Sequence, residues 1–86
     1  MAKFFRNRTA DEWRALLIAF GYTWTNNQGD DQVWIYKGKG FAVLVPSRNE
    51  TLLLPTSDSM ARQVSTCLGI KKKKLLEWWK DNGYSE

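Results

Sequence analysis

The stretch from Gly29 to Pro46 constrains the fold of this chain more than any other. Two alternating apolar runs, Val33 to Tyr36 and Phe41 to Val45, flank a Lys-Gly-Lys-Gly connector, whose glycines supply the positive φ that a tight hairpin requires. Period-2 alternation places Val33 and Ile35 on one face, and Gln32, Trp34 and Tyr36 on the other. Phe41, Val43 and Val45 share a face on the second strand. One face of such a hairpin buries against helices and the other stays partly wet. The segment before it, Asn26 to Asp31, reads as a polar loop that holds its side chains on a rigid edge, and a working site is expected there.

The flanking segments read as helices and short strands. Thr9 and Glu12 have the spacing of a capping box, and Trp13, Leu16, Leu17 and Phe20 follow at helical spacing, with Gly21 placed to end a helix over 9–20. Tyr22 to Thr25 alternates and is aromatic or β-branched, so it reads as a first strand. After Pro46, Thr51 to Leu54 forms a short apolar run ahead of Pro55 and reads as a marginal fourth strand. Thr56, Ser57 and Asp58 offer an N-cap for a helix over 58–68, with Met60, Ala61, Val64, Cys67 and Leu68 as its apolar stripe and Gly69 as its stop. A last helix is expected over 71–82, with Leu75, Leu76 and Trp79 on one side. The expected fold class is α+β: a three-stranded antiparallel sheet with helices on one face, in the order α-β-β-β-α-α. Residues 1–86 form one domain, and residues 1–8 a short basic lead containing Phe4 and Phe5.

A chain of 86 residues holds a single core of two layers, and 43% hydrophobic and 14% aromatic residues exceed what a disordered chain carries. Its formal net charge of +4 and pI near 9.4 favour an anionic partner. With one cysteine, Cys67, and no histidine, the chain has no disulfide framework and no zinc cluster, and no cofactor is expected. No apolar run approaches the roughly 18 residues of a membrane span, and the start lacks the apolar core of a signal peptide. The expected setting is the cytoplasm, without membrane contact. No Ser-His-Asp, Cys-His, HExxH or phosphate-loop constellation is present.

Several local features carry two readings each. Lys71, Lys72, Lys73 and Lys74 stand at a helix start, where the macrodipole disfavours cations by a few tenths of a kcal/mol each. They form either a phosphate-facing patch or a solvated face. Lys37 and Lys39 at the hairpin tip are either turn lysines or contacts to a nucleic-acid backbone. Asp30 and Asp31 could share a cation or supply a base, and adjacent acids in a turn also serve as solvated caps. Five tryptophans build either a bulky core or exposed stacking surfaces. Trp78 and Trp79 diverge by about 100° on a helix, so one of them leaves the core side and is exposed or covered by the tail around Tyr84. Cys67 lies on an apolar stripe and reads as packing.

Beyond these patterns, the chain resembles the HicA family of toxin-antitoxin proteins. The resemblance rests on Phe20-Gly21-Tyr22 closing a first helix, Gly29 followed five residues later by Trp34, a strand ending in Val45-Pro46, a leucine run, and a helix closing in Leu68-Gly69-Ile70. It implies a double-stranded-RNA-binding-like fold, messenger-RNA endoribonuclease (mRNA interferase, a hydrolase) activity, and a partner antitoxin protein. The family motif is Gly-Ser-His followed two residues later by an apolar and then an aromatic residue, with the histidine catalytic. Here Gly29, Asp30 and Asp31 occupy those positions, and Asp31 stands where the histidine would be. A second histidine that follows the Val-Pro is replaced by Ser47 and Arg48. A carboxylate is a weak base and no acid at neutral pH, so it does not inherit the role of imidazole.

Three functions follow as expectations. The first is a HicA-like RNA-binding protein in which ribonuclease activity is altered or lost, with Asp31 at the catalytic position. Its RNA contacts would come from Trp34, Tyr36, Lys37, Lys39, Arg48 and Lys71 to Lys74. The second is a non-catalytic RNA-binding module using the same residues. The third is a protein-interaction domain whose exposed tryptophans form the contact surface.

Overall fold

The computed structural model describes residues 8–84, with Lys39 and Gly40 described by their backbone alone. The basic lead before Arg8 lies outside the described residues. In chain order the elements are β1 (Arg8–Thr9), α1 (Ala10–Ala19), β2 (Thr23–Gln28), β3 (Asp31–Tyr36), β4 (Lys39–Pro46), β5 (Thr51–Leu52), α2 (Leu54–Leu68) and α3 (Lys72–Asp81). The fold is α+β, with three helices, an antiparallel sheet of order β2-β3-β4 and a separate two-stranded pairing of β1 with β5.

The hairpin of β3 and β4 closes through Lys37 and Gly38, both at positive φ (48° and 70°), as a two-residue hairpin turn of the mirror-image type requires. Lys39 and Gly40 therefore belong to β4 rather than to the turn. Trp34 pairs with Val43 and Gln32 with Val45, so these four side chains share one face. Trp34, Val43 and Val45 are buried in one core with Trp13, Leu16 and Leu17 of α1, Met60, Ala61 and Val64 of α2, and Leu75 and Trp79 of α3. Phe41 does not follow them: it is 84% exposed. A bulge shifts the register between Trp34 and Tyr36, and the period-2 relation that joined Phe41 to Val43 does not survive an irregular step.

The polar segment ahead of the hairpin is a strand, not a loop. Asn26, Asn27 and Gln28 extend β2 and pair with Val33, Gln32 and Asp31, and only Gly29 (φ 64°) and Asp30 make the turn. Polar side chains suit β2 because it is a sheet edge whose six residues are all exposed. Thr51 and Leu52 form a strand, but they pair with Thr9 and Arg8 and lie outside the main sheet.

Thr9 caps α1 through the expected box: its side chain accepts from the Glu12 amide at 3.2 Å, while the Glu12 carboxylate accepts from the Thr9 amide at 2.8 Å. The start of α2 lies one turn earlier than its cap-like residues suggest. Proline fits a first helical turn because its missing N–H would have no intrahelical acceptor, so Pro55 opens α2 instead of blocking it. Ser57, expected as part of the cap, is fully buried inside the helix and accepts a hydrogen bond from Trp13 Nε1 at 3.2 Å. Gly69 ends α2 in the left-handed conformation as expected.

The aromatic residues divide between core and cover. Trp13 and Trp79 are fully buried and meet edge to face at 5.0 Å, and Trp79 Nε1 donates to the Glu12 carbonyl at 3.0 Å. Trp78, one residue on, is covered by Tyr84 at 5.8 Å and touched by Phe20 at 6.3 Å. Arg8, read as part of a lead, is fully buried in β1. Its guanidinium lies 4.3 Å from the Trp79 ring centroid and 2.9 Å from the Glu12 carboxylate.

Candidate nucleic-acid interface

The residues singled out from sequence fall at the two ends of β3, six residues and so about 17 Å apart, at the start of α3, or inside the core. At the first end, Asp31 pairs with Pro46 across β3 and β4, and the Ser47 amide donates to the Asp30 carbonyl at 2.9 Å. This pairing brings Asp30, Asp31, Ser47, Arg48 and Glu50 to the border of one cleft of about 290 Å³. The loop is tied to the start of α1: the Asp11 amide donates to Asn49 Oδ1 at 3.1 Å, and the Ala10 amide to the Glu50 carbonyl at 2.8 Å.

Arg14 of α1, which sequence reasoning passed over, braces the same strand end. Its Nη1 donates to the Pro46 carbonyl at 2.6 Å and to Gln32 Oε1 at 3.4 Å, and its Nη2 pairs with Asp11. The available signal was a basic residue directly beside the apolar stripe of α1, and that signal does not name a partner 32 residues away.

Three carboxylates and one guanidinium line the cleft. This balance repels a phosphate unless Arg48 is what meets it. Among the described residues, no three His, Cys, Asp or Glu side chains converge closely enough to hold a metal. The cleft contains no group of imidazole type, and Asp31 is its half-buried carboxylate.

The second end is basic. Lys37 is exposed at the turn, with its Nζ 5.3 Å from the centroid of the Tyr36 ring. Tyr36 itself is half-buried against Tyr22, at 5.4 Å between rings. The four lysines at the start of α3 are not equivalent. Lys71 and Lys73 are exposed and make no ion pair among the described residues. Lys72 donates to Asp58 at 2.8 Å, and Lys74 lies 3.6 Å from Glu77. The Asp58 carboxyl is held below its ordinary value, chiefly by that Lys72 hydrogen bond. Lys74 also borders a depression with Phe20 and Ile70, which places the start of α3 beside the end of α1.

Trp34 corrects the sequence reading: it is only 6% exposed, with Nε1 donating to Gln32 Oε1 at 3.3 Å, so its ring is core and offers no face to a ligand. The side chain of Lys39 lies outside what the structure describes. Cys67 is half-buried against the core, as its stripe implied. Burial, with the adjacent Cys67 sulfur, pushes the Tyr22 phenol above its ordinary pKa, which marks that corner as interior.

No protein-family model, curated protein or solved structure matches the chain. Among the described residues, no helix is long and apolar enough to cross a membrane.

Proposed function

We propose that this protein is a HicA-like RNA-binding protein with a double-stranded-RNA-binding-like arrangement, in which family-type ribonuclease activity is lost, and that a small antitoxin-type protein is its partner. One observation carries the reading. The pairing of Asp31 with Pro46 makes the position of the family histidine and the Ser47-Arg48 that follows Val45-Pro46 border a single cleft, although they lie far apart in sequence. Two positions that a catalytic pair would need are thus adjacent, and neither holds an imidazole. Transesterification of RNA needs a base for the 2′-hydroxyl and an acid for the leaving oxygen; carboxylates serve the first poorly and the second hardly at all at neutral pH. RNA is held instead by Lys37 at the hairpin turn and by Lys71 and Lys73 at the start of α3, with Arg48 the cation that lines the cleft.

The test is a binding and cleavage assay on labelled RNA, with and without divalent metal. Salt-dependent retention without cleavage is the expected result. Fast cleavage by the unaltered chain, or no RNA affinity at low salt, refutes the reading.

A second reading, a protein-interaction surface, is favoured by Phe41 at 84% and Leu44 at 43% exposure, next to a depression lined by Ala42, Leu44, Pro55 and Met60. Concentration-dependent association without RNA affinity would select it.

A further inference from the structure

Trp24 is the exposed tryptophan of the sheet. It sits on β2, directly across from Trp34, and 51% of it remains exposed. Its indole N–H is already satisfied within its own strand, by the Asn26 carbonyl at 3.1 Å and Asn27 Oδ1 at 3.2 Å. The indole edge is therefore held in place and needs no further partner. What the ring has left to offer is a π-face, already ordered, so that little entropy is lost when something stacks on it.

The surroundings select the ligand. Thr23, Thr25, Asn26, Asn27 and Gln28 make β2 an exposed edge rich in hydroxyls and amides, with no charged residue in the strand. The Thr25 hydroxyl and the Asn26 amide bond within the sheet, but an apolar partner surface would strand the Asn27 amide nitrogen and the Gln28 amide, which have no hydrogen-bond partner among the described residues, and that is costly. A nucleobase has the complementary build, with apolar faces and a rim of donors and acceptors. Phe41, the other prominent exposed aromatic, differs in this respect, because β4 around it is apolar. Cations lie within reach for the backbone: Lys37 follows the partner Trp34 by three residues, about 10 Å along the strand.

We propose that Trp24 is a stacking platform for an unpaired base of single-stranded RNA, with the amide of Asn27, whose Oδ1 already meets the Trp24 indole N–H, beside that base's rim. The site takes single strands because a base inside a duplex has no free face. This proposal rests on the RNA-binding reading above and adds to it the ligand form and the residue that holds it.

The experiment measures the affinity of the full chain for labelled oligouridylate and for an RNA duplex, each across a salt series. Trp24→Ala is expected to weaken oligouridylate binding about 5- to 150-fold, the range that base–aromatic stacking spans on alanine substitution. Trp24→Phe restores most of the loss, duplex binding is unchanged, and the slope of log affinity against log salt stays that of the parent, because stacking releases no counterions. Trp24→Thr keeps strand propensity and repeats the test if alanine loosens the edge. Unchanged oligouridylate affinity in Trp24→Ala, with weakened affinity in a Lys71→Gln/Lys73→Gln variant, overturns the Trp24 site and leaves RNA binding intact. Absence of RNA affinity in the parent overturns both. Loss of self-association in Trp24→Ala with RNA affinity unchanged also overturns it and assigns Trp24 to a protein surface.

Discussion

Replacing Lys71 and Lys73 together by glutamine, beside a matched variant with Lys72 and Lys74 replaced, separates contact from net charge. Each double variant takes the formal charge from +4 to +2, so an explanation by net charge alone predicts the same effect for both. The structure predicts different effects. Lys71 and Lys73 are exposed and unpaired among the described residues, whereas Lys72 and Lys74 direct their charge to Asp58 and Glu77. Each direct phosphate contact to a single strand contributes about 0.7 to the slope of log affinity against log salt, so losing two lowers that slope by up to about 1.4. Over a fourfold rise in salt, the parent then loses about 7-fold more affinity than the Lys71/Lys73 variant. The Lys72/Lys74 variant gives up only long-range attraction, which is screened beyond about 8 Å at physiological salt. Its slope is expected to stay near the parent value. Exposed ion pairs contribute little to folding, so both variants keep the parent melting temperature. Fluorescence anisotropy of labelled RNA across a salt series reads the slopes. Equal slopes in the two variants refute the contact argument, and a flat parent refutes phosphate binding altogether.

Three further outcomes are expected. Asp31→His places an imidazole at the cleft and is expected to gain slow RNA cleavage with an optimum near neutral pH; robust metal-independent cleavage by the parent, undiminished in Asp31→Ala, would show that the chemistry lies elsewhere. Trp34→Ala removes a buried indole and is expected to lose about 3–5 kcal/mol of folding stability by urea titration, while Trp34→Phe keeps the parent's RNA affinity; loss of affinity in a folded Trp34→Phe would return that ring to the binding surface. For Glu12, burial raises the carboxyl pKa, but the Thr9 amide and the Arg8 guanidinium outweigh it and the net shift is downward. A carboxyl lowered by folding contributes stability that is full above its unfolded pKa, about 4.3, and is lost as pH falls through the folded value. Urea titrations at neutral and acid pH are therefore expected to show an acid loss that shrinks in Glu12→Gln, and an identical pH profile in that variant would exclude the ion pair as its source.

Several elements were legible from short-range pattern. The hairpin of β3 and β4, the Thr9–Glu12 box and the Gly69 stop each depend on residues within a few positions of one another, so the sequence states the whole interaction. The convergence of Asp31 with Ser47 and Arg48 was not set by the turn: a two-residue turn at Lys37-Gly38 alone would put Asp31 opposite Leu44, and the bulge between Trp34 and Tyr36 moves it opposite Pro46. The limits of β2 and α2 were less legible. Asn26 to Gln28 look like loop because an exposed edge tolerates polar side chains, and Pro55 looks like a barrier although it is permitted in a first turn.

Alternation determines which residues share a face of a strand; it does not determine which face the helices cover. Trp34 and Trp24 lie opposite each other on the same sheet, yet one is in the core and the other stands half in solvent, since β3 is the central strand and β2 the edge. The same holds for charge. Four consecutive lysines are alike in sequence, and Lys72 differs from Lys71 only because Asp58, 14 residues earlier, comes within 2.8 Å. Arg8, a residue of the basic lead by position, is buried because Trp79 supplies a ring face 71 positions away and Glu12 a carboxylate. Local order came from the sequence through hydrogen bonds and periodicity. Burial, ion pairing and the exposure of Trp24 were decided by tertiary structure, because each depends on atoms that only the packing of distant segments brings within contact.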